Sequence, residues 1–102
     1  MSEIRMTLQT LALLRALVDL HSGPIYGYDL MRQADLKSGT LYPILARLER
    51  LGHLSSQWEA IDPVQAGRPA RRVYALTPEG RAFATEALQK AQRALRGGLA
   101  HA

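Results

Sequence analysis

Residues 27–51 read GYDLMRQADLKSGTLYPILARLERL, two stretches of helical apolar spacing on either side of a short turn. This spacing predicts a short helix over 27–34 and a longer one that runs to Leu51. Ser38 is the predicted N-cap of the longer helix, and Gly52 is its predicted C-cap. Two helices joined in this way form a helix-turn-helix, although many other helical hairpins show the same pattern.

A β-hairpin is predicted directly after these helices, where the apolar spacing changes from helical to alternating. Residues 54–59 follow a two-residue repeat that indicates a strand, and 71–76 form a second, returning strand. The segment 60–70 contains two prolines and one glycine and is predicted to be a loop. A helix-turn-helix followed by a hairpin is the order of a winged helix, and this order is more specific than either half.

Apolar helices flank the predicted winged helix on both sides. Thr7 is the predicted N-cap of a first helix over 8–20, and Thr77 begins a last helix that runs to about Arg96. Together they carry more apolar surface than a small domain can hide, so we expect part of it to meet a second copy. The alternative is that the last helix packs only on the first helix of its own chain. The predicted dimerisation residues are Leu11, Leu14, Val18, Ala84, Leu88, Ala91 and Leu95.

Length and charge set limits on the class of protein. The chain has 102 residues, enough for one modest core, and 13 Lys and Arg against 9 Asp and Glu give a net charge of +4. We divide it into a winged helix-turn-helix domain over 1–76 and a dimerisation helix over 77–102. Its longest uninterrupted apolar run, 11–14, is too short to cross a membrane. We therefore expect no membrane partner and a cytoplasmic location.

Residues suited to catalysis or metal binding are scarce. Cysteine is absent, which excludes disulfides and thiolate zinc sites. The three histidines, His21, His53 and His101, have no partner at the spacing that metal binding or acid–base catalysis needs. We therefore expect neither an enzyme nor a bound cofactor or metal ion.

The outer face of the helix over 38–51, together with the loop that follows, carries residues suited to DNA. Hydroxyls and an aromatic ring on the first turns can meet base edges in the major groove. Tyr42 could instead be half-buried against the preceding helix, and Arg47 is more typical of a solvated face. Arg68 could enter a minor groove, or its loop could merely protect an edge strand. The predicted DNA-binding residues are Lys37, Ser38, Thr40, Tyr42, Pro43, Arg47, Arg68, Arg71 and Arg72.

Several motifs, taken in order, resemble the PadR family of transcriptional regulators. They are IYGYDL at 25–30, SGTLYPIL at 38–45, WE at 58–59, GRP at 67–69 and LTPEG at 76–80. The resemblance implies a winged-helix dimer that usually represses transcription, binds a near-palindromic double-stranded operator and is often released by a small molecule. Carried over by position, it places the groove-reading segment on Ser38, Thr40 and Tyr42. The wing-tip contact falls on Arg68.

We therefore expect a mainly α protein with a small β-hairpin, built as a winged helix-turn-helix plus a C-terminal dimerisation helix. It would act as a homodimeric repressor. An apolar or aromatic effector would bind between the first and last helices, near Phe83, unless a filled dimer core occupies that space. The alternative function is a winged-helix module for protein interaction or ligand sensing that does not bind DNA itself. A net charge of only +4 permits it.

Overall fold

The fold is mainly helical with one small antiparallel sheet, as predicted. A computed structural model describes residues 6–100, so residues 1–5 of the predicted first domain, and 101–102 of the second with His101, lie outside the described residues. The elements are α1 (Leu8–Asp19), β1 (Ile25–Tyr26), α2 (Gly27–Ala34), α3 (Ser38–Arg50), β2 (Leu54–Trp58), α4 (Pro63–Ala66), β3 (Arg72–Leu76) and α5 (Pro78–Ala100).

The first helix, α1, occupies the centre of the core. Its fully buried leucines, Leu13, Leu14 and Leu17, pack with the inner faces of α2 and α3 and with Ala84 of α5. The predicted dimerisation role of Leu14 and Ala84 is therefore wrong. Because α1 and α5 pack directly on each other, both side chains are buried within one protomer and expose no surface to a second copy.

The helix-turn-helix has the predicted helices, but one cap differs. Lys37 is the N-cap of α3, with an extended backbone and a carbonyl that accepts the N–H groups of Thr40 and Leu41. Ser38 is thus the first helical residue, and the predicted Ser38 cap is wrong because the helix starts one residue early. The left-handed turn predicted at Gly52 is present, with φ of 81°, directly after the C-cap Leu51.

The wing is the predicted hairpin of β2 and β3, extended by a third strand. The strand order is β1-β3-β2, all antiparallel, with Ile25 opposite Tyr74 and Trp58 opposite Arg72. Strand β1 has two residues, too few to show a period in the sequence. The predicted loop contains one helical turn, α4, whose N-cap Asp62 accepts the N–H of Val64 at 3.0 Å.

The last helix begins as predicted and ends later. Thr77 accepts the N–H of Gly80 at 2.9 Å and donates its hydroxyl to the carbonyl of Gly52 at 2.6 Å. The helix continues to Ala100 rather than to Arg96. A helical glycine costs only about 1 kcal/mol relative to alanine, and Gly97 and Gly98 do not adopt the left-handed conformation that would end the helix. Among the described residues, no helix has both the length and the apolar character of a membrane span.

Candidate nucleic-acid interface

The start of α3 presents an open polar surface. Lys37, Ser38 and Gly39 are exposed, and Thr40 is half-buried. Nothing lies within 4 Å of the position that a side chain on Gly39 would take, so a ligand backbone can approach this turn closely. The first N–H groups of a helix lack partners within it and carry partial positive charge. This end of α3 therefore suits phosphate and polar base edges.

Tyr42 lies against the start of α2 while keeping 45% of its surface exposed. A Cβ on Gly27 would lie 3.1 Å from Cζ of the Tyr42 ring and would overlap its hydroxyl. The absence of a side chain at Gly27 is thus what allows the phenol ring to settle there. The structure combines the two alternatives left open by the sequence, since the ring packs against the start of α2 and is still exposed. The ring is supported on one side and available on the other.

The remaining predicted residues on α3 lie on its outward face. Pro43 and Arg47 are both exposed, and Arg47 takes part in an interaction of its own. They line a surface groove of about 610 Å³ between α3 and the start of α1, with Thr7 and Thr10 on the opposite side. This groove continues the polar surface of the α3 start along the helix.

The wing arginines do not project freely. Nη1 of Arg68 lies 2.7 Å from Oε1 of Glu59, and Nε of Arg71 lies 3.3 Å from the same oxygen. The Arg68 guanidinium, with hydrogen bonds from Arg71 and Tyr26, holds the pKa of the Glu59 carboxyl well below its usual range despite partial desolvation. The sequence placed Arg68 at the wing tip, whereas its charge is directed back towards the base of the wing.

Arg72 is held differently, by the strand opposite it. Its Cζ atom lies 5.2 Å from the ring centroid of Trp58, and its Nε donates to the hydroxyl of Ser56 at 2.9 Å. Ser56 is in turn hydrogen-bonded to Glu49 of α3. This chain of contacts fixes the wing relative to α3. Trp58 itself remains 63% exposed.

The two halves of the predicted site meet at an aromatic pocket of about 460 Å³. It contains all four tyrosines and the one tryptophan of the chain, together with two arginines of the wing. Its lining residues are Tyr26, Gly27, Tyr28, Tyr42, Trp58, Arg71, Arg72 and Tyr74. Phenol hydroxyls and guanidinium groups donate to phosphate oxygens. The pocket therefore joins Tyr42 of α3 to the wing in one surface suited to a sugar–phosphate backbone.

Sequence reasoning missed several members of this surface. Tyr26 and Tyr28 belong to the IYGYDL motif but received no role, because their meeting with Trp58 depends on the pairing of β1 with β3. Glu59 belongs to the WE motif and likewise received no role. The signal that could have found Tyr26 and Tyr28 is their placement on either side of Gly27, at the start of a predicted helix.

A second surface, mainly apolar, runs along α1 and α5. Its larger groove, about 720 Å³, is lined by the predicted dimerisation residues Leu11, Val18, Leu88, Ala91 and Leu95, with Leu8 in addition. Leu8 is 85% exposed and Leu95 is 70% exposed. A neighbouring pocket of about 490 Å³ is lined by Met6, Leu11, Phe83, Ala87, Ala91 and Ala94, with Glu86 and Lys90.

The two described histidines have structural contacts. Nδ1 of His21 lies 2.6 Å from the carbonyl of Val18, and the His53 ring stacks on Phe83 with centroids 4.2 Å apart. Within residues 6–100, no group of three or more acidic or histidine side chains is placed to hold a metal ion.

Comparison with known proteins gives consistent matches. Residues 16–86 match the transcriptional regulator PadR-like family. Transcriptional regulator Rv3488 of Mycobacterium tuberculosis is 50% identical over 66 residues, which span 62% of this chain and 57% of that protein. A PadR-like transcription factor structure from Bacteroides fragilis is 31% identical, with a TM-score of 0.65 and coverage of 92% of this chain and 90% of the other.

Structures that are less similar in sequence share the fold. The PcaV transcriptional regulator of Streptomyces coelicolor superposes with a TM-score of 0.76 at 22% identity, covering 95% of this chain and 63% of its own. At this identity the comparison supports the winged-helix architecture alone.

Proposed function

The chain belongs to the PadR-like family of transcriptional regulators, and from this premise we propose that it is a homodimeric, sequence-specific DNA-binding repressor. Members of this family are regulators and not enzymes. The single observation that carries the proposal is the aromatic pocket, because it connects Tyr42 of α3 with Arg71 and Arg72 of the wing. A helix start and a wing on one surface are the two elements with which winged helices hold DNA.

In the proposed complex, the start of α3 enters the major groove. Ser38, Thr40 and Tyr42 would face base edges, while Lys37 and Arg47 would meet flanking phosphates. The support of Tyr42 by Gly27 favours this arrangement, since a ring already held in place loses little conformational entropy on binding. Arg71 and Arg72 would contact the backbone next to the groove.

The second part of the proposal is that residues 77–102 act as the dimerisation helix of a winged domain over 1–76. The exposed Leu8 and Leu95, with the half-buried Leu88 between α1 and α5, support it, because a continuous apolar groove along two helices is costly to leave in water. A two-fold dimer presents its α3 helices to successive major grooves about 34 Å apart. The operator would accordingly consist of two inverted half-sites.

The third part concerns a small-molecule effector. The pocket near Phe83 has alanines on α5, a half-buried aromatic ring and a volume suited to a flat apolar or aromatic molecule. PcaV, which shares the fold, was solved with its natural ligand. Ala94 is exposed at the edge of the pocket. We expect Ala94→Trp to fill the pocket and abolish thermal stabilisation by any ligand found in a screen of flat aromatic compounds. Unchanged stabilisation by that ligand would place its site elsewhere.

One observation favours the alternative, a module for protein interaction without DNA binding of its own. Glu59 pairs with both Arg68 and Arg71, so part of the wing's positive charge is neutralised within the protein. Against this alternative, residues 59–72 contain three arginines and two acids, so the wing keeps a net charge of 3 − 2 = +1.

The proposal is tested by selection from a pool of random-sequence DNA duplexes with the purified protein at low salt. We expect enrichment of two inverted half-sites whose centres are about one helical turn apart, ~10 base pairs. A pool that shows no enrichment after repeated rounds would contradict sequence-specific binding and support the interaction module.

A further inference from the structure

The Glu59 side chain joins three parts of the chain at the base of the wing by hydrogen bonds. Glu59 follows β2 directly, and its side chain is only 9% exposed. Oε1 accepts Nη1 of Arg68 at 2.7 Å and the backbone N–H of Arg71 at 2.8 Å. Oε2 accepts Nη2 of Arg68 at 3.2 Å and the hydroxyl of Tyr26 at 3.1 Å. One carboxylate therefore joins the wing loop, the start of the returning strand and β1.

These contacts fix the direction of both arginines. Arg68 binds Glu59 through both terminal nitrogens, a geometry that leaves the guanidinium little freedom. Arg71 is held between the carboxylate and the face of Tyr26, whose ring centroid lies 4.0 Å from Cζ. The backbone N–H of Glu59 also donates to the carbonyl of Arg71 at 2.8 Å. The wing base is thus closed by main-chain and side-chain bonds together.

Both arginines nevertheless remain accessible. The side chain of Arg68 is 39% exposed and that of Arg71 is 50% exposed. A guanidinium has five N–H donors, so a carboxylate bound at one edge leaves donors for a phosphate. The arginines are therefore oriented and at the same time partly neutralised.

Orientation and neutralisation affect two kinds of DNA binding differently. Non-specific binding depends on the number of phosphates neutralised and hence on free positive charge. Specific binding gains from side chains that are already in position, because less entropy is lost on association. An acid that pairs with two arginines therefore weakens non-specific binding, because it neutralises part of their charge. It preserves specific binding, because it holds both side chains in position.

We propose that Glu59 is a specificity-determining, positioning residue, which orients Arg68 and Arg71 for one DNA geometry and withholds part of their charge from all other DNA. This inference rests on the proposed DNA-binding function. The competing explanation is a purely structural tie that keeps the wing folded, and it predicts no change in the ratio between specific and non-specific affinity.

The test compares charge-matched variants of the full chain. Glu59→Gln removes the negative charge of the carboxylate and weakens the contacts that hold Arg68 and Arg71. Asp62→Asn removes one negative charge from the same wing, and asparagine preserves the cap of α4. Each protein is titrated by fluorescence anisotropy on its selected duplex and on a scrambled duplex, across a salt series.

For Glu59→Gln we expect about tenfold tighter binding to scrambled DNA and a salt dependence steeper by about 0.9, the value for one additional phosphate contact. The ratio of specific to non-specific affinity should fall by about tenfold or more. Asp62→Asn should change both quantities much less. Equal effects of the two variants would overturn the proposal, since net charge alone would then explain them.

A second variant separates the position of the carboxylate from its charge. It also keeps the proposal testable if Glu59→Gln does not fold. Glu59→Asp keeps the negative charge but shortens its reach, so the salt dependence should stay at the wild-type value while the specificity ratio falls. An unchanged ratio would overturn the proposal. If the wild-type protein binds neither duplex, the proposed function itself fails. If it is specific and the Glu59 variants keep its ratio, the Glu59 proposal fails alone.

Discussion

The α-carbon of Gly80, in the first turn of α5, lies directly against the backbone carbonyl of His53, just before β2. A Cβ on Gly80 would overlap both the oxygen and the carbon of that carbonyl. The same carbonyl accepts the N–H of Thr77 at 3.1 Å, which fixes the distance between the two segments. This contact connects the winged helix to the helix proposed to dimerise.

Gly80→Ala is therefore expected to destabilise the protein by about 1–3 kcal/mol, because the methyl group has backbone and no flexible side chain to displace. Gly98→Ala is the matched control on the same helix. Its methyl group would meet nothing within 4 Å, and alanine should stabilise the helix by up to about 1 kcal/mol. Urea unfolding measures both. Equal changes in the two variants would contradict the close packing at Gly80.

Tyr42→Ala should reduce sequence preference, because it removes a supported ring from the proposed groove-reading segment. We expect the ratio of specific to non-specific affinity to fall by about tenfold, the loss typical of one base contact. Arg72→Ala should instead weaken binding to both duplexes, since it removes one positive charge from a wing residue that pairs with Ser56 rather than with Glu59. Anisotropy on selected and scrambled DNA separates the two effects. The same uniform loss in both variants would show that α3 and the wing do not divide these roles.

Leu95→Glu should give monomers that bind a single half-site weakly. The side chain is 70% exposed in one protomer, so the substitution leaves the core intact and acts only on the α1–α5 groove. Val64→Glu is the control, since Val64 is 89% exposed but lies on α4 in the wing. Light scattering should report a monomer for the first variant and a dimer for the second. A dimeric Leu95→Glu protein would exclude this groove as the interface.

The stability contributed by Glu59 should depend on pH. The ion pair with Arg68 lowers the pKa of the folded-state carboxyl below its ordinary value of 4.5, with further help from Arg71 and Tyr26. A carboxyl whose pKa is lower in the folded state stabilises that state at pH values above the pKa of the unfolded chain. This contribution is lost as the pH falls towards the pKa of the folded state. The difference in unfolding free energy between wild type and Glu59→Gln should be constant above about pH 5 and narrow below pH 4. A difference that does not vary with pH would contradict the pairing.

The sequence was sufficient to predict the parts of the fold that depend on local spacing. The inner face of α3, with Leu41, Leu45 and Leu48, and the strands of the wing hairpin follow from periodicity, and the structure confirms them. The buried positions of Leu14 and Ala84 could not be predicted in this way. They depend on how α1 and α5 face each other, and an apolar residue has the same pattern in a core as in an interface.

The candidate site could be predicted only in outline. The exposed start of α3 and the arginines of the wing were evident from residue type and position. The orientation of Arg68 was not, because its partner Glu59 lies nine residues earlier and the wing loop must fold before they meet. The support of Tyr42 by Gly27 likewise depends on the packing of two helices.

Salt-dependent anisotropy of the wild-type protein on its selected duplex and on a scrambled duplex tests the central claim most directly. The proposed function predicts a preference of ~10³ or more for the selected duplex. It also predicts that log affinity falls with log salt at a slope of about −0.9 for each of several phosphate contacts. Equal affinity for both duplexes, or no binding at low salt, would contradict a sequence-specific regulator.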